Sequence, residues 1–323
     1  MIHSITGRAA LGMMFMLGIA GAASSEVAIS GYGRTGIMYI ENDTPELNET
    51  QIVGRLRMDI DASTSTDGGL EFGGRLRLQW DQNSSSRGAA AATNPGLLWM
   101  ESNGLQIAVG NIETAFHKTG LRNDPDLGVF DRSVGFNGVV GGFFTYDSDQ
   151  YALADYIGIG LTYSRDDLTV RASYVDPSQS GLNEGDGFAE EFGMSVDYTW
   201  KDVLELSGGF VTNGGGTKDN DQFLLGARYA VLDDAHVGMN YYSTEDWVTG
   251  DTVALYGDYT LADNLTNIEA YAARNDSDWD GKKTDYAFGI GVNYDLGGAR
   301  LGASLQRDYD ERMTADMGVR FNF

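Results

Sequence analysis

The stretch VGRLRMDIDASTSTDGGLEFGGRLRLQW, Val53 to Trp80, carries Gly-Arg-Leu-Arg twice. In its first half Leu56, Met58 and Ile60 alternate with Arg55, Arg57, Asp59 and Asp61, and Ile52 extends the apolar row backward. In its second half Leu70, Phe72, Leu76, Leu78 and Trp80 alternate with Glu71, Arg75, Arg77, Gln79 and Asp81. A period of two means β-strand with one apolar and one polar face. The short polar link STSTDGG makes the pair an antiparallel hairpin. A turn centred on Thr66 would set Arg55 opposite Arg77 and Arg57 opposite Arg75. Like charges directly opposite one another destabilise a ladder, so that register requires either a negative counterpart or water in front of it.

The same alternation runs to the end of the chain. In MTADMGVRFNF, Met313, Ala315, Met317, Val319, Phe321 and Phe323 share a face opposite Thr314, Asp316, Arg320 and Asn322. Alternation predicts about sixteen strands. They fall near 27–40, 51–63, 70–82, 97–102, 105–110, 156–164, 168–176, 188–200, 203–213, 221–231, 235–244, 251–260, 265–274, 284–295, 299–308 and 313–323. Their connections alternate in length. STSTDGG, SNG, RDD, WKD, LDD, LADN and LGG are tight. ENDTPELNE, the Ser/Ala-rich stretch 83–96, DPSQSGLNEGDG, GGGTKDN, TEDWVTG and RNDSDWDGKK are long. Short turns on one rim and long loops on the other are the pattern of an outer-membrane β-barrel, whose spans need only ~9–11 residues of alternating polarity. Aromatics such as Tyr39, Trp80, Tyr163, Tyr198, Trp200, Tyr259 and Tyr294 flank the strands. Interfacial girdles and ordinary strand preference explain them equally well.

Composition narrows the partners. With 22 Lys+Arg against 47 Asp+Glu, the formal charge is -25. No basic patch outweighs such a field, so nucleic acid is excluded as a partner. The chain has no Cys, which removes disulfides and thiolate chemistry. Residues 1–25 read as a secretory signal: Arg8, then the apolar AALGMMFMLGIAGAASS, with small residues before a cut after Ala23 or Ser25. The mature domain, 26–323, is then an exported membrane barrel of the outer membrane. No later segment approaches the ~18 apolar residues of a spanning helix.

One connection is exceptional, running from about 111 to 155. A loop this long in a compact domain is usually functional or disordered. It holds Phe116, Phe130, Phe136, Phe143, Phe144 and Tyr146, so it should pack on something. It also holds Glu113, Asp124, Asp126, Asp131, Asp147 and Asp149. Folded into the lumen, it would set carboxylates across a gap from the wall arginines, and rings of charge are one way a pore selects what it passes.

The opening EVAISGYGRTGIMY, the hairpin STDGGLEFGGRLRL and the close YAFGIGVNYDLGGARLGASLQRDYDERMTADMGVRFNF resemble the general diffusion porins of alphaproteobacteria, the purple-bacterial type. The resemblance covers the mature chain, best at both ends and weakly in the loops. It implies a sixteen-stranded antiparallel transmembrane barrel with short periplasmic turns, long external loops and an inward-folded third loop. It implies a homotrimer, embedded among outer-membrane lipid and lipopolysaccharide, passing small hydrophilic solutes passively. It implies that the terminal Phe323 signals to the barrel insertion machinery. Carried over, the basic side of the constriction falls on Arg34, Arg55, Arg57, Arg75 and Arg77. The acidic side falls on Glu113, Asp124, Asp126 and Asp131.

Other chemistry is weaker. The mature chain has two histidines, His117 and His236, in different segments, and neither has a nucleophile at a telling spacing. The run Asp276, Asp278, Asp280, Gly281 starts like an EF-hand loop, but the twelfth position is Ala287 rather than Glu. A looser calcium site on those three carboxylates is compatible with the resemblance, and a solvated acidic loop is the alternative. No cofactor is required. A substrate-selective channel, or a plugged barrel acting as enzyme or adhesin, are the rival functions.

Overall fold

The computed structural model describes residues 25–41, 48–82, 90–93, 96–130, 157–181, 188–245 and 250–323. Residues 1–24, all of the expected signal but Ser25, and Asp131 lie outside the described residues. So does the rest of the long connection, 132–156, with Phe136, Phe143, Phe144, Tyr146, Asp147 and Asp149.

Seventeen strand segments form one continuous sheet. They are β1 (Ser25–Ile40), β2 (Thr50–Ser65), β3 (Glu71–Gln82), β4 (Ala90–Thr93), β5 (Leu97–Ser102), β6 (Leu105–Gly110), β7 (Ile157–Arg165), β8 (Leu168–Asp176) and β9 (Glu191–Trp200). Then follow β10 (Leu204–Thr212), β11 (Asp221–Leu232), β12 (Ala235–Glu245), β13 (Thr252–Thr260), β14 (Thr266–Asn275), β15 (Tyr286–Asp295), β16 (Ala299–Arg307) and β17 (Met313–Asn322). Every ladder is antiparallel, and β1 pairs with both β2 and β17, so the sheet closes on itself. Closure leaves no edge, the condition for putting strand backbone in hydrocarbon. At the seam Gly31 and Phe323 exchange both backbone hydrogen bonds (2.8 and 3.0 Å).

The additional segment, β4, lies in the stretch 83–96 that the sequence reads as loop. Its reason is the length of β3. Glu71–Arg75 of β3 pair with β5, and the outer residues Leu78–Asp81 take Ala90–Thr93 as their partner. β4 and β5 are therefore two pieces of one stave, and the described barrel has sixteen.

The apolar face points outward all the way round. Ile52 and Leu56 on β2, Leu76 and Trp80 on β3, Leu255 on β13, and Ile290 and Val292 on β15 are exposed, while their alternating polar neighbours face the lumen. A belt of exposed aliphatic side chains around a closed sheet is a surface for lipid.

The β2–β3 register corrects the sequence reading. The turn closes about Gly68: Thr66 N–H donates to Leu70 O (2.8 Å), and Gly69 takes a left-handed φ of 79°. Each strand therefore slides by two residues. Arg55 faces Asp81, Arg57 faces Gln79, Asp59 faces Arg77 and Asp61 faces Arg75. The guanidiniums meet acids and an amide instead of each other.

Candidate functional site

The lumen face of β1–β3 is a ladder of cross-strand pairs. Arg77, only 8% exposed, grips Asp59 with two bonds (Nε–Oδ1 2.6 Å, Nη2–Oδ2 3.0 Å). Arg75 reaches Asp61 (2.8 Å) and Arg55 reaches Asp81 (2.6 Å). Arg57 donates to Gln79 (2.6 Å), whose amide donates in turn to Asp81. Tyr32 sits among three guanidiniums. Its hydroxyl accepts from Arg55 (3.1 Å), and the guanidiniums of Arg57 and Arg320 lie 5.5 and 5.2 Å from its ring centre.

Like charges do meet, one strand further on. Register sets Arg300 of β16 opposite Arg320 of β17, Arg320 opposite Arg34 of β1, and Arg34 opposite Arg55 of β2. Four arginines thus stand at one height on neighbouring strands. The long connection answers this row. Arg300 donates to Gly128 O (3.2 Å), Arg34 to Val129 O (3.4 Å), and Arg320 lies 3.6 Å from Asp126. The Arg34 guanidinium also stacks 5.4 Å from the centre of the Phe130 ring.

Residues 111–130 reach that row by running along the inner wall as a series of tight turns. Ala115 N–H donates to Ser173 Oγ of β8 (2.9 Å), Gly120 N–H to Asp197 of β9 (2.8 Å) and Leu121 N–H to Ser207 Oγ of β10 (3.2 Å). Asn240 of β12 donates to the carbonyls of Leu121 (2.8 Å) and Asp124 (2.9 Å), and Tyr242 donates to that of Arg122 (2.9 Å). Val129 N–H finally donates to Asp316 of β17 (2.8 Å), whose other oxygen accepts from Ser304 (2.7 Å). Between these anchors Phe116 and Leu127 are fully buried against Leu224, Tyr242 and Tyr271 of the wall. The backbone comes so close that a Cβ at Gly226 would lie 3.0 Å from Leu121, and one at Gly289 would lie 2.8 Å from Leu127.

At the start of this loop Glu113 meets Arg77 (3.4 Å). Burial pushes the Glu113 carboxyl up, but Lys118, His117, Arg77 and Arg75 outweigh it. They hold the group at about 2, against an ordinary 4.5. Loop and wall are therefore joined as an acid–base slot through Glu113–Arg77 and Asp126–Arg320. Of the other residues singled out in the sequence, Arg34 meets the loop through its backbone. Arg55, Arg57 and Arg75 pair with the neighbouring strand, and Asp124 is held by its carbonyl. Arg300, Arg320, Asp197 and Asp316 were not singled out. Their signal is positional: each lies on the polar parity of its strand, and only the register shows that they line up.

The two histidines belong to separate networks. His117 Nδ1 lies 3.3 Å from Arg122, and His236 Nδ1 lies 3.0 Å from Asp258, which also pairs with Arg228 (2.8 Å). Asp276, Asp278 and Asp280 do not converge. Asp276 accepts from Asp251 N–H (2.9 Å), and the Lys282 ammonium takes the carbonyls of Asn275 (3.1 Å) and Ser277. Among the described residues no three acids or histidines gather as a metal site.

A closed barrel with a lipid-facing belt and a charged loop anchored inside its lumen defines a membrane channel narrowed from within. The comparisons agree. The family model described as Gram-negative porin matches residues 9–315. A porin of Fuscovulum blasticum is 37% identical over 302 residues, spanning 92% of this chain and 100% of that protein. Two solved variants of the Rh. blastica porin superpose with a TM-score of 0.81, at 36% and 34% identity, each over 92% of this chain and 100% of the other. In one a lysine and an arginine, in the other an aspartate and a glutamate, are replaced by alanine. The chain belongs to the Gram-negative porin family, and it is a channel of the outer membrane.

Proposed function

We propose that this channel is a water-filled pore for passive diffusion of small hydrophilic solutes and ions. Its constriction lies between the β1–β3 and β16–β17 arginines and the loop carboxylates. The observation that carries this is the course of residues 111–130, which keep to the wall and bring Glu113 and Asp126 to Arg77 and Arg320. The functional unit is a homotrimer set in lipid and lipopolysaccharide, with Phe323 as the signal to the insertion machinery. Residues 1–25 are the export signal. Cleavage before Glu26 would leave glutamate as the first residue, the residue type replaced at the first position of the solved Rh. blastica variants.

The test is single-channel conductance of the detergent-purified protein in a planar bilayer. Large, long-lived steps that close in three equal levels are expected. Silence from protein shown to be folded and inserted would overturn the reading.

A further inference from the structure

Arg274 is the one arginine among the described residues with neither a hydrogen bond nor an ion pair. It stands at the external end of β14, on the face it shares with the exposed Ile268, Ala270 and Ala272. Its side chain therefore points away from the lumen, at the top of the lipid belt. Register places it beside Tyr286 of β15, which is 60% exposed. Phe288, next on the same face of β15, lies opposite Arg307 of β16. Arg307 is also outward, half-exposed, and shares its charge with Glu311 at 2.7 Å. The two arginines thus flank β15, two strand spacings across and two residues along, about 12 Å apart. Lys283, exposed and without an ion pair, precedes Tyr286 in the chain. The nearby acids are held by other groups: Asp285, on which Arg274 acts only through space, by Lys282 (2.9 Å), Glu311 by Arg307, and Asp276 by the backbone of Asp251.

An unpaired guanidinium on the lipid face is unfavourable unless it sits at the interface and finds an anion there. The anions of a bacterial outer leaflet are phosphates on glycolipid headgroups. Arginine matches phosphate with parallel hydrogen bonds. A chain of formal charge -25 repels such a lipid at long range, so attachment has to be local. We propose that Arg274, Arg307, Lys283 and Tyr286 form a docking site for the phosphorylated headgroup of an outer-leaflet glycolipid, with its acyl chains along Phe288, Ile290 and Leu305. The site rests on the outer-membrane reading and not on any property of the pore.

The test titrates the full-length detergent-purified protein with bisphosphorylated lipid A and counts bound lipid by native mass spectrometry. The double variant R274Q/R307Q should bind about tenfold more weakly, the loss expected of one charge-assisted phosphate contact. R274K, which keeps the charge and loses the planar fork, should fall between the unaltered protein and the double variant. Dephosphorylated lipid A should bind the unaltered protein and the double variant equally weakly. Equal lipid A affinity in the unaltered protein and the double variant would overturn the site, as would indifference to the phosphates. One-for-one displacement by phosphatidylglycerol would overturn the commitment to a glycolipid. Conductance of the same samples, expected to be unchanged, reports separately on the pore.

Discussion

Arg77 and Arg75 are neighbours on one face of one strand, yet they should respond differently to the same substitution. The Arg77 side chain is 10% exposed, with Asp59 at 13%, while those of Arg75 and Asp61 are 32% and 26% exposed. Removing one partner of a buried pair strands the other charge, at about 3–5 kcal/mol, whereas a solvated pair is worth about 0–1 kcal/mol. Arg77→Gln should therefore lower the unfolding midpoint of the solubilised barrel clearly, and Arg75→Gln hardly at all. Both should shift the reversal potential towards cations, because Asp59, Asp61 and Glu113 lose positive neighbours. An unchanged potential would remove the two arginines from the constriction. Glu113 carries a pH signature. Its carboxyl is depressed in the folded state, so its contribution is complete above about 4.5 and is lost only as pH falls through about 2. The difference in reversal potential between the unaltered protein and Glu113→Gln should stay flat from pH 7 to 5 and fall to about half near pH 2, its midpoint. A midpoint close to 4.5 would mean that the guanidiniums do not act on Glu113.

The inner loop shows what an element can and cannot announce in its sequence. Two wall carboxylates clamp its described part, Asp197 accepting from Gly120 and Asp316 from Val129. Hydrogen bonds to charged groups contribute about 1.5–3 kcal/mol each. The variant Asp197→Ala/Asp316→Ala should leave the barrel closed but loosen the loop, raising open-channel current noise and exposing residues 111–130 to protease. Unaltered noise together with unaltered protection would refute the clamp. That a loop of this length does something was legible from its aromatics and acids. The strands and their parity were legible too, because a period of two survives in every span. Register was not, since it is set by turn geometry. A turn centred on Thr66 overlooks the left-handed Gly69, and with the centre at Gly68 each partner moves by four residues, Arg55 from Arg77 to Asp81. Charge offered a way to find it, because only the observed register pairs Arg75 and Arg77 with Asp61 and Asp59. The row from Arg300 to Arg55 was further out of reach, as it joins strands from opposite ends of the chain and exists only once the barrel closes.

At the scale of the whole molecule two electrostatic sources act on a permeating ion, and salt separates them. The formal charge of -25 includes carboxylates of the external connections, such as Asp276, Asp278 and Asp280, whose reach is the Debye length, about 30 Å at 0.01 M and 3 Å at 1 M. The slot charges act on an ion at a few ångströms from partly buried positions and are screened far less. Acidic external loops enrich cations at the mouth only while their field extends across it. The preference for potassium over chloride should therefore decline as potassium chloride is raised from about 10 mM to about 1 M. It should level off at the value set by the constriction. Neutralising Asp276, Asp278 and Asp280 together, all in the external connection between β14 and β15, should weaken the preference at low salt and leave the high-salt plateau alone. Glu113→Gln should move the plateau itself. If the loop variant moves the plateau as far as the low-salt value, the external carboxylates lie within contact range of the permeating ion. The division of labour between mouth and slot would then be wrong.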